Sequence, residues 1–359
     1  MKICLIIHSL GIGGMERVMV NLANYFADQK KADVHLLLIG RKRNIEYKLS
    51  DKIHIHKPSF SFNNDRRAWH TIKTIRFARL TVKLLKPDTI LSFGEFWNNL
   101  VLLSLLGIDA PVFISDRSEP DKELGKVQNR LRDWLYPKAA GYIAQTSQAK
   151  EVANQNKWNK YIRVIGNPIR EFPENPEIKK ENVVLFVGRL IKTKHVDQLI
   201  QMFHEVRQPG WRLEIVGGDA KGLTLSDEYQ QLINDLGAEG YISLEGERKN
   251  VEDYYNKSKI FAFTSSSEGF PNVVGEALSA GLPVIAYDCM AGPSDLISDG
   301  KNGCLVPVHD TLLFKQRLKE VMTQEELRDK MSIEARRSVF EFEKGKIADE
   351  FYDFITAVK

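Results

Sequence analysis

Short, unbroken apolar runs punctuate this chain, and stretches with helical periodicity follow them. The first run covers residues 2–7 and is followed by a loop at 8–14 and a helical stretch over 15–28. Further runs at 34–39, 89–93, 112–115 and 141–145 continue the series, and it restarts at 183–187, 213–216, 242–244, 260–263 and 283–286. Helical patterns such as 196–207 and 228–236 fall between them. A strand buried on both faces of a parallel sheet is apolar throughout, so it reads as a run and not as an alternation. The pattern therefore predicts α/β units on parallel sheets. Between Asn167 and Asn182 the chain carries Pro168, Pro173 and Pro176 among many Glu and Lys and few apolar residues, which reads as a linker. Near the end, Ile347, Phe351, Phe354 and Ile355 recur at close to helical spacing within 346–358. That segment predicts an amphipathic helix with an apolar face to dock.

Length and composition narrow the class. A chain of 359 residues, 43% hydrophobic and 27% charged, is expected to form two domains with real cores. Cys4, Cys289 and Cys304 make no CxxC pair, which argues against a disulfide scaffold or a Cys-type zinc site and fits a reducing compartment. No stretch approaches the ~20 apolar residues of a membrane span. Met1-Lys2 leads straight into the first strand, so no signal peptide is expected. A cytoplasmic protein follows, one that meets a membrane only at its surface. The net charge of +4 hides an asymmetry: residues 1–170 sum to +13 and residues 171–359 to −9. A basic first half suits an anionic ligand or surface.

Three loop motifs can carry chemistry. His8-Ser-Leu-Gly-Ile-Gly-Gly-Met-Glu-Arg17 joins a strand to a helix. Its glycines permit close backbone approach, and a helix N-terminus favours anions. Its spacing is not the dinucleotide fingerprint, and a plain strand-to-helix turn is the alternative. Val187-Gly-Arg-Leu-Ile-Lys-Thr-Lys194 likewise follows a strand; Arg189 and Lys194 either grip one diphosphate or are two solvated cations. Ser267-Glu-Gly-Phe-Pro-Asn-Val-Val-Gly-Glu-Ala277 has turn residues Gly269 and Pro271, with Pro271 suited to the first helical position. Phe270, Asn272 and Val273 would present backbone amides there, and Glu268 and Glu276 would bracket a ligand. Carboxylates accept paired hydroxyls, as on a sugar or ribose. The alternative is a helix cap and a solvated glutamate.

In order and spacing these motifs resemble retaining glycosyltransferases of family 4. Glu268–Glu276 resembles the E-x7-E element, GGMER the GGxER opening loop, and Val164-Ile-Gly-Asn-Pro-Ile169 the hinge segment. VGRL-x3-K is similar to the diphosphate clamp and Ile215-Val-Gly-Gly-Asp219 to the strand-turn that follows it. The resemblance implies the GT-B fold: two Rossmann-like domains with parallel sheets facing across a cleft. An acceptor-side domain would cover 1–167, a nucleotide-sugar domain 168–342, and a final helix at about 343–359 would cross back to the first. Carried over by position, Arg189 and Lys194 would hold the donor diphosphate, Glu276 the ribose and Glu268 the sugar. Backbone at Phe270–Val273 would assist, Gly13 and Gly14 would approach the phosphate from the other side, and Arg248 would lie in the base-binding turn. UDP is the commoner nucleotide in this family, with GDP as the open alternative.

Where many relatives have a Ser-Glu-His segment, this chain has Ser115-Asp-Arg-Ser-Glu119. Arg117 cannot serve as a base; it either orients the sugar in the reactive centre or belongs to a structural loop. No Asp-x-Asp triplet occurs, so neither a metal nor another cofactor is expected. Lys73, Arg76, Arg79, Lys83 and Lys86 fall on a helical arc of roughly 140°, interleaved with Trp69, Ile72, Leu80 and Leu84. That mixture suits an anionic membrane surface or a lipid pyrophosphate, with a solvated basic face as the alternative. Relatives with the GGxER loop often elongate sugars on polyprenyl diphosphates, so a peripheral place on the inner membrane face is expected. Nothing resembles a nucleic-acid-binding motif. The competing functions are a non-catalytic sugar-binding or partner subunit on the same fold, and a phosphorylase or epimerase.

Overall fold

A computed structural model describes residues 1–120, 122–173, 175 and 177–357. The chain divides into two compact units, Met1–Pro168 with Lys344–Lys359, and Ile169–Glu343.

The first unit runs β1 (Lys2–Ile7), α1 (Gly14–Asp28), β2 (Asp33–Leu38), β3 (His54–His56), α2 (Arg67–Leu85), β4 (Thr89–Phe93), α3 (Glu95–Leu105), β5 (Val112–Ser115), α4 (Lys126–Leu135), β6 (Gly141–Ala144), α5 (Ser147–Gln155) and β7 (Ile162–Val164). Its strands form one parallel sheet in the order β3-β2-β1-β4-β5-β6-β7. The second unit runs β8 (Val183–Val187), α6 (Val196–Val206), β9 (Arg212–Val216), α7 (Leu225–Asp235), β10 (Ile242–Gly246), α8 (Val251–Lys257), β11 (Ile260–Phe263), α9 (Asn272–Ser279), β12 (Val284–Tyr287), α10 (Pro293–Leu296), β13 (Gly303–Val306), α11 (Thr311–Thr323) and α12 (Glu325–Ser338). Its parallel sheet has the order β10-β9-β8-β11-β12-β13.

The strand order reverses direction between β1 and β4 in one sheet and between β8 and β11 in the other. At such a reversal, neighbouring strands send their following helices to opposite faces. A crevice opens at their carboxyl ends, and ligands bind there. The predicted motif loops leave β1, β8 and β11, so all three emerge at these reversals.

Every predicted run became a strand, while β3, β7 and β13 had escaped detection. These three lie at sheet edges or are only three or four residues long, and β3 and β7 are half-solvated. Half-solvated strands do not need an unbroken apolar sequence. The stretch read as a linker is also partly core. Ile169 and Phe172 are buried, the Ile169 amide donates to the Phe342 carbonyl at 3.0 Å, and Phe172 packs on Tyr255 at 4.8 Å. Apolar residues there are few, but both of these are used. Pro176, counted in the linker, and Val358, counted in the final helix, lie outside the described residues.

That final helix, α13 (Lys344–Thr356), belongs to the first unit. Ile347, Phe351 and Ile355 are buried on its inner face, and Phe354 meets Phe113 edge-on at 5.3 Å. Its polar side is pinned to α1, because Asp349 accepts from the Tyr25 hydroxyl and pairs with Lys30, both at 2.8 Å.

One edge of the same sheet is a histidine cluster. His35 Nδ1 lies 2.9 Å from His56 Nε2, and the His35 ring stacks on His54 at 4.9 Å. Asp33 and Lys2 are the other charged groups facing His35. Burial is the main cause lowering the pKa values of both His35 and His56. Their neutral forms are therefore favoured in the native state, the unfolded chain binds the extra protons, and stability falls as pH drops below the ordinary value of 6.5. Replacing both with Gln is expected to remove this loss. Between pH 7 and pH 5.5, wild type should lose about 2–4 °C of Tm relative to the double variant in calorimetry. Parallel curves would show that the pair does not titrate on unfolding.

Candidate active site

In the second unit the site grows from the ends of β8, β9, β10 and β11. Gly217, after β9, has φ +147°, and a Cβ there would collide with the Gly188 carbonyl oxygen. Only glycine lets these two strand ends approach so closely. Gly188 N–H donates to the Val216 carbonyl at 3.0 Å, and Gly217 N–H donates to the Gly246 carbonyl at 2.9 Å. Three neighbouring strands thus end in a bare backbone ledge.

The β8 loop carries Arg189 and Lys194 beyond this ledge. Lys194 ion-pairs with Glu268 from the loop after β11, and its ammonium lies over the Phe263 ring at 5.4 Å. The two side chains are 13% and 16% exposed, so water only partly screens the pair. Two hydrogen bonds fix the loops to each other: Thr264 Oγ1 donates to the Lys194 carbonyl at 2.7 Å, and Ser266 N–H to the Thr193 carbonyl at 2.9 Å. His195 Nε2 lies 2.9 Å from Ser266 Oγ. Arg189 is exposed and has no side-chain partner among the described residues.

Downstream of Glu268, Phe270 is buried and Pro271 is the residue just before α9, not its first residue. The helix starts at Asn272, with Asn272 and Val273 half-buried in its first turn. Glu276 is buried on α9 and accepts from the Tyr255 hydroxyl at 3.3 Å, so it is not a solvated helix glutamate. Tyr255 gave no sequence signal, being a core aromatic of α8. Arg248 is half-exposed and pairs with Glu245 at 3.1 Å, just past the end of β10. Lys194 and Glu268 are thus brought together, whereas Arg189 and Arg248 follow the ends of β8 and β10 and Glu276 lies within α9.

The first unit holds a second chamber, in which a few polar side chains are set in a largely apolar wall. Gly13 closes the β1 loop, and its amide and carbonyl both bond the Tyr47 hydroxyl, at 3.1 and 3.0 Å. Gly14 is the exposed first residue of α1. His8 pairs with Glu16 at 3.3 Å and stacks on Trp97 with centroids 5.6 Å apart. Across the strand-order reversal, Gly94 at φ +96° turns β4 into α3 and sets Glu95 at the helix start. Glu95 accepts from the Ser118 hydroxyl and, at 3.4 Å, from the Arg117 amide. These groups, with Met15, Phe96 and Trp97, line a 200 Å³ cavity. Glu95 escaped the sequence reading; its signal is a carboxylate directly after the glycine that ends a strand.

Arg117 is anchored as well as chamber-lining. It donates to Ser115 Oγ at 3.3 Å and to Asn167, and lies over the Phe93 ring at 4.4 Å. Burial pushes its guanidinium down to about 9, which leaves it charged at neutral pH. Beside it, Asp116 is buried and accepts from Tyr136 at 2.7 Å, Asn98 at 2.9 Å and Tyr142 at 3.3 Å. Burial raises its carboxyl to about 7 and the charge on Glu95 adds to the rise, against the Tyr136 and Asn98 bonds.

The basic face of α2 is not uniform. Arg76 and Lys83 are exposed, and so are Trp69, Ile72, Leu80 and Leu84. Lys73 lies over the rings of Phe60 and Trp69, at 5.6 and 5.4 Å. Two positions depart from the expected stripe. Arg79 donates to the Ser104 and Leu106 carbonyls at 2.9 and 2.8 Å, closing the end of α3, and Lys86 is a left-handed cap beyond the helix. No helix among the described residues is long and apolar enough to cross a membrane.

Two parallel sheets of this kind, each with motif loops at its order reversal, are the elements of a GT-B architecture. Residues 12–171 match the family model Glycosyltransferase Family 4, and residues 169–338 match Glycosyl transferases group 1. The chain belongs to the GT-B glycosyltransferases. It is 26% identical to a Campylobacter jejuni enzyme over 100% of this chain and 99% of that one. That relative is described as a GalNAc-GalNAc-diNAcBac-PP-undecaprenol alpha-1,4-N-acetyl-D-galactosaminyltransferase. Among solved structures, the lipopolysaccharide outer core galactosyltransferase WaaB in its apo form superposes with TM-score 0.82 at 22% identity, covering 99% of each chain. HepE from Anabaena in complex with UDP gives 0.82 at 17% identity over the whole of both chains.

Asp116 offers a clean test of the buried chamber. Between about pH 4 and pH 7 the native carboxyl holds a proton that the unfolded one has lost, so its contribution to stability falls as pH rises. Asp116→Asn removes that slope. Its Tm relative to wild type should be higher at pH 8 than at pH 5; an equal gap at both would mean a carboxyl that stays charged.

Proposed function

We propose that this protein is a retaining glycosyltransferase of family 4. It moves a hexose or N-acetylhexosamine from a nucleotide sugar, with UDP as the favoured base, to a saccharide on a polyprenyl diphosphate at the cytoplasmic membrane surface. The observation that carries this reading is the Lys194–Glu268 pair at the reversal between β8 and β11. HepE was solved with UDP, and the Campylobacter relative is named for an undecaprenyl-diphosphate-linked substrate; both support the choice of donor and acceptor.

The chemistry follows from charge. When the bond between the anomeric carbon and the phosphate oxygen breaks, the departing diphosphate gathers negative charge. Fixed cations stabilise that state more than the ground state, which is what accelerates a reaction. Arg189 and Lys194 take this role. Glu268 contacts the sugar and restrains Lys194, and backbone at Phe270, Asn272 and Val273 meets the sugar and phosphate. Glu276, held by Tyr255, accepts the ribose hydroxyls, and Arg248 lies beside the base. The acceptor oxygen attacks on the face the leaving group vacates, and its proton passes to a donor phosphate oxygen. In the first unit, Glu95 and Arg117 hold the acceptor saccharide, and Gly13 and Gly14 leave backbone room beside it. The exposed part of the α2 face, with Arg76 and Lys83, meets the anionic membrane surface. The reaction is assigned to side chains without a metal.

A non-catalytic subunit on the same fold is the second reading. The intact pair of cations and both glutamates favour catalysis, since a degenerate subunit has no need of them. Release of nucleoside diphosphate from a supplied nucleotide sugar distinguishes the two. Lys194→Ala and Glu276→Ala should each lower transfer by at least about tenfold, which corresponds to about 1.4 kcal/mol of lost stabilisation. Wild-type rates in either would take that residue out of the site. Chelation with EDTA should leave the rate unchanged, and a loss restored by Mg²⁺ would overturn the metal-free assignment.

A further inference from the structure

The largest cavity described in the first unit has no place in the chemistry above. It encloses 630 Å³ beside α2 and α3 and beneath Ile39 at the end of β2. That volume is within the range of about 300–1,000 Å³ typical of small-molecule sites. Its wall is apolar: Phe62, Ile72, Ile75, Trp97, Leu100 and Leu103 line it.

The polar side chains in the lining are mostly satisfied internally. Thr71 and Thr74 donate to helix carbonyls at 2.9 and 2.8 Å, which leaves their methyl groups for the wall. Asn99 donates to Gln128 Oε1 at 2.9 Å, leaving the buried Asn99 Oδ1 as an acceptor for one water or hydroxyl. Two exposed arginines, Arg41 and Arg67, stand at the edge, and no carboxylate is in the lining. A greasy interior with a purely cationic edge complements an apolar chain that carries an anionic group at one end.

The cavity also has a neighbour. Phe96 and Trp97 line both it and the 200 Å³ chamber that holds Glu95, Arg117 and Ser118. Two aromatic side chains thus stand between a chamber suited to hydroxyls and one suited to hydrocarbon. Resting on the lipid-linked acceptor proposed above, we infer that this cavity receives the phosphate-proximal isoprenoid units of the acceptor, with Arg41 and Arg67 on its diphosphate. The membrane-facing stripe of α2 then holds the protein at the surface, while a separate internal site selects the carrier.

Calorimetric titration of the full chain with farnesyl diphosphate, farnesol and inorganic pyrophosphate tests this. Farnesyl diphosphate should bind at least about tenfold more tightly than either fragment. Leu100→Trp, which fills the cavity, should weaken it at least about tenfold and leave UDP binding unchanged. The Arg41→Ala/Arg67→Ala double variant should weaken farnesyl diphosphate to the affinity of farnesol. Because a filling variant can misfold, a diazirine-bearing farnesyl diphosphate should also label wild-type peptides from α2 and α3. Equal affinity for farnesyl diphosphate and pyrophosphate, indifference to Leu100→Trp in a folded variant, or labelling confined to other segments would each overturn the assignment. Failure of wild type to bind or turn over any nucleotide sugar, with the farnesyl pattern intact, would instead remove the donor reading and leave the cavity standing.

Discussion

A parallel sheet whose strand order reverses must leave a crevice at the carboxyl ends of the two strands beside the reversal, and the chemistry of both units is built there. In the second unit that constraint puts the β8 and β11 loops side by side, and the Lys194–Glu268 pair joins them. Residues 74 positions apart meet because their strands are neighbours. An ion pair this sheltered would cost desolvation if it served stability alone. Here two backbone-directed hydrogen bonds hold the same loops together. The fold therefore does not depend on the pair, and both charges can be redirected to a ligand.

Much of this was legible in the sequence for physical reasons. Central parallel strands must be apolar on both faces, so β1, β4, β5, β8 and β11 appeared as runs within a residue of their observed bounds. Edge strands carry no such requirement, which is why His54-Ile55-His56 was invisible. Loop motifs were legible because glycine and charge concentrate where backbone must bend and bind, as at Gly188-Arg189 and Glu268-Gly269. What spacing could not give is which charged side chains are occupied structurally. Arg79 looked equivalent to Arg76 on a helical wheel, yet it is bound to two carbonyls at the end of α3. Glu95 and Tyr255 have no motif around them, and Asp116 lies in a segment singled out only for Arg117; their roles arise from neighbours far along the chain.

The charge asymmetry of the sequence also needs restating in local terms. The half that carries Arg189 and Lys194 has the net negative charge, so net charge does not say where an anion binds. Two cations at a glycine ledge of open backbone, one exposed and one paired with Glu268, set the local field. In the basic half the reverse economy holds. Several cations are committed to structure, including Arg79 on its carbonyls and Arg117 between Ser115 and Asn167. The positive charge left for a partner is smaller than the count suggests, and it is concentrated beside exposed apolar residues of α2.

Placing a neutral-leaning carboxyl beside a committed arginine has its own logic. Asp116 is buried with three donors aimed at it, while Glu95 lines the 200 Å³ chamber. Burial in this poorly solvated setting raises the Asp116 carboxyl to about 7, and the charge on Glu95 adds to the rise. Glu95 is an acceptor in the chamber, hydrogen-bonded by Ser118 and the Arg117 amide. The depth of Asp116, and not its identity alone, sets that rise, whereas Glu95 lines the chamber, where a hydroxyl-bearing ligand can reach it.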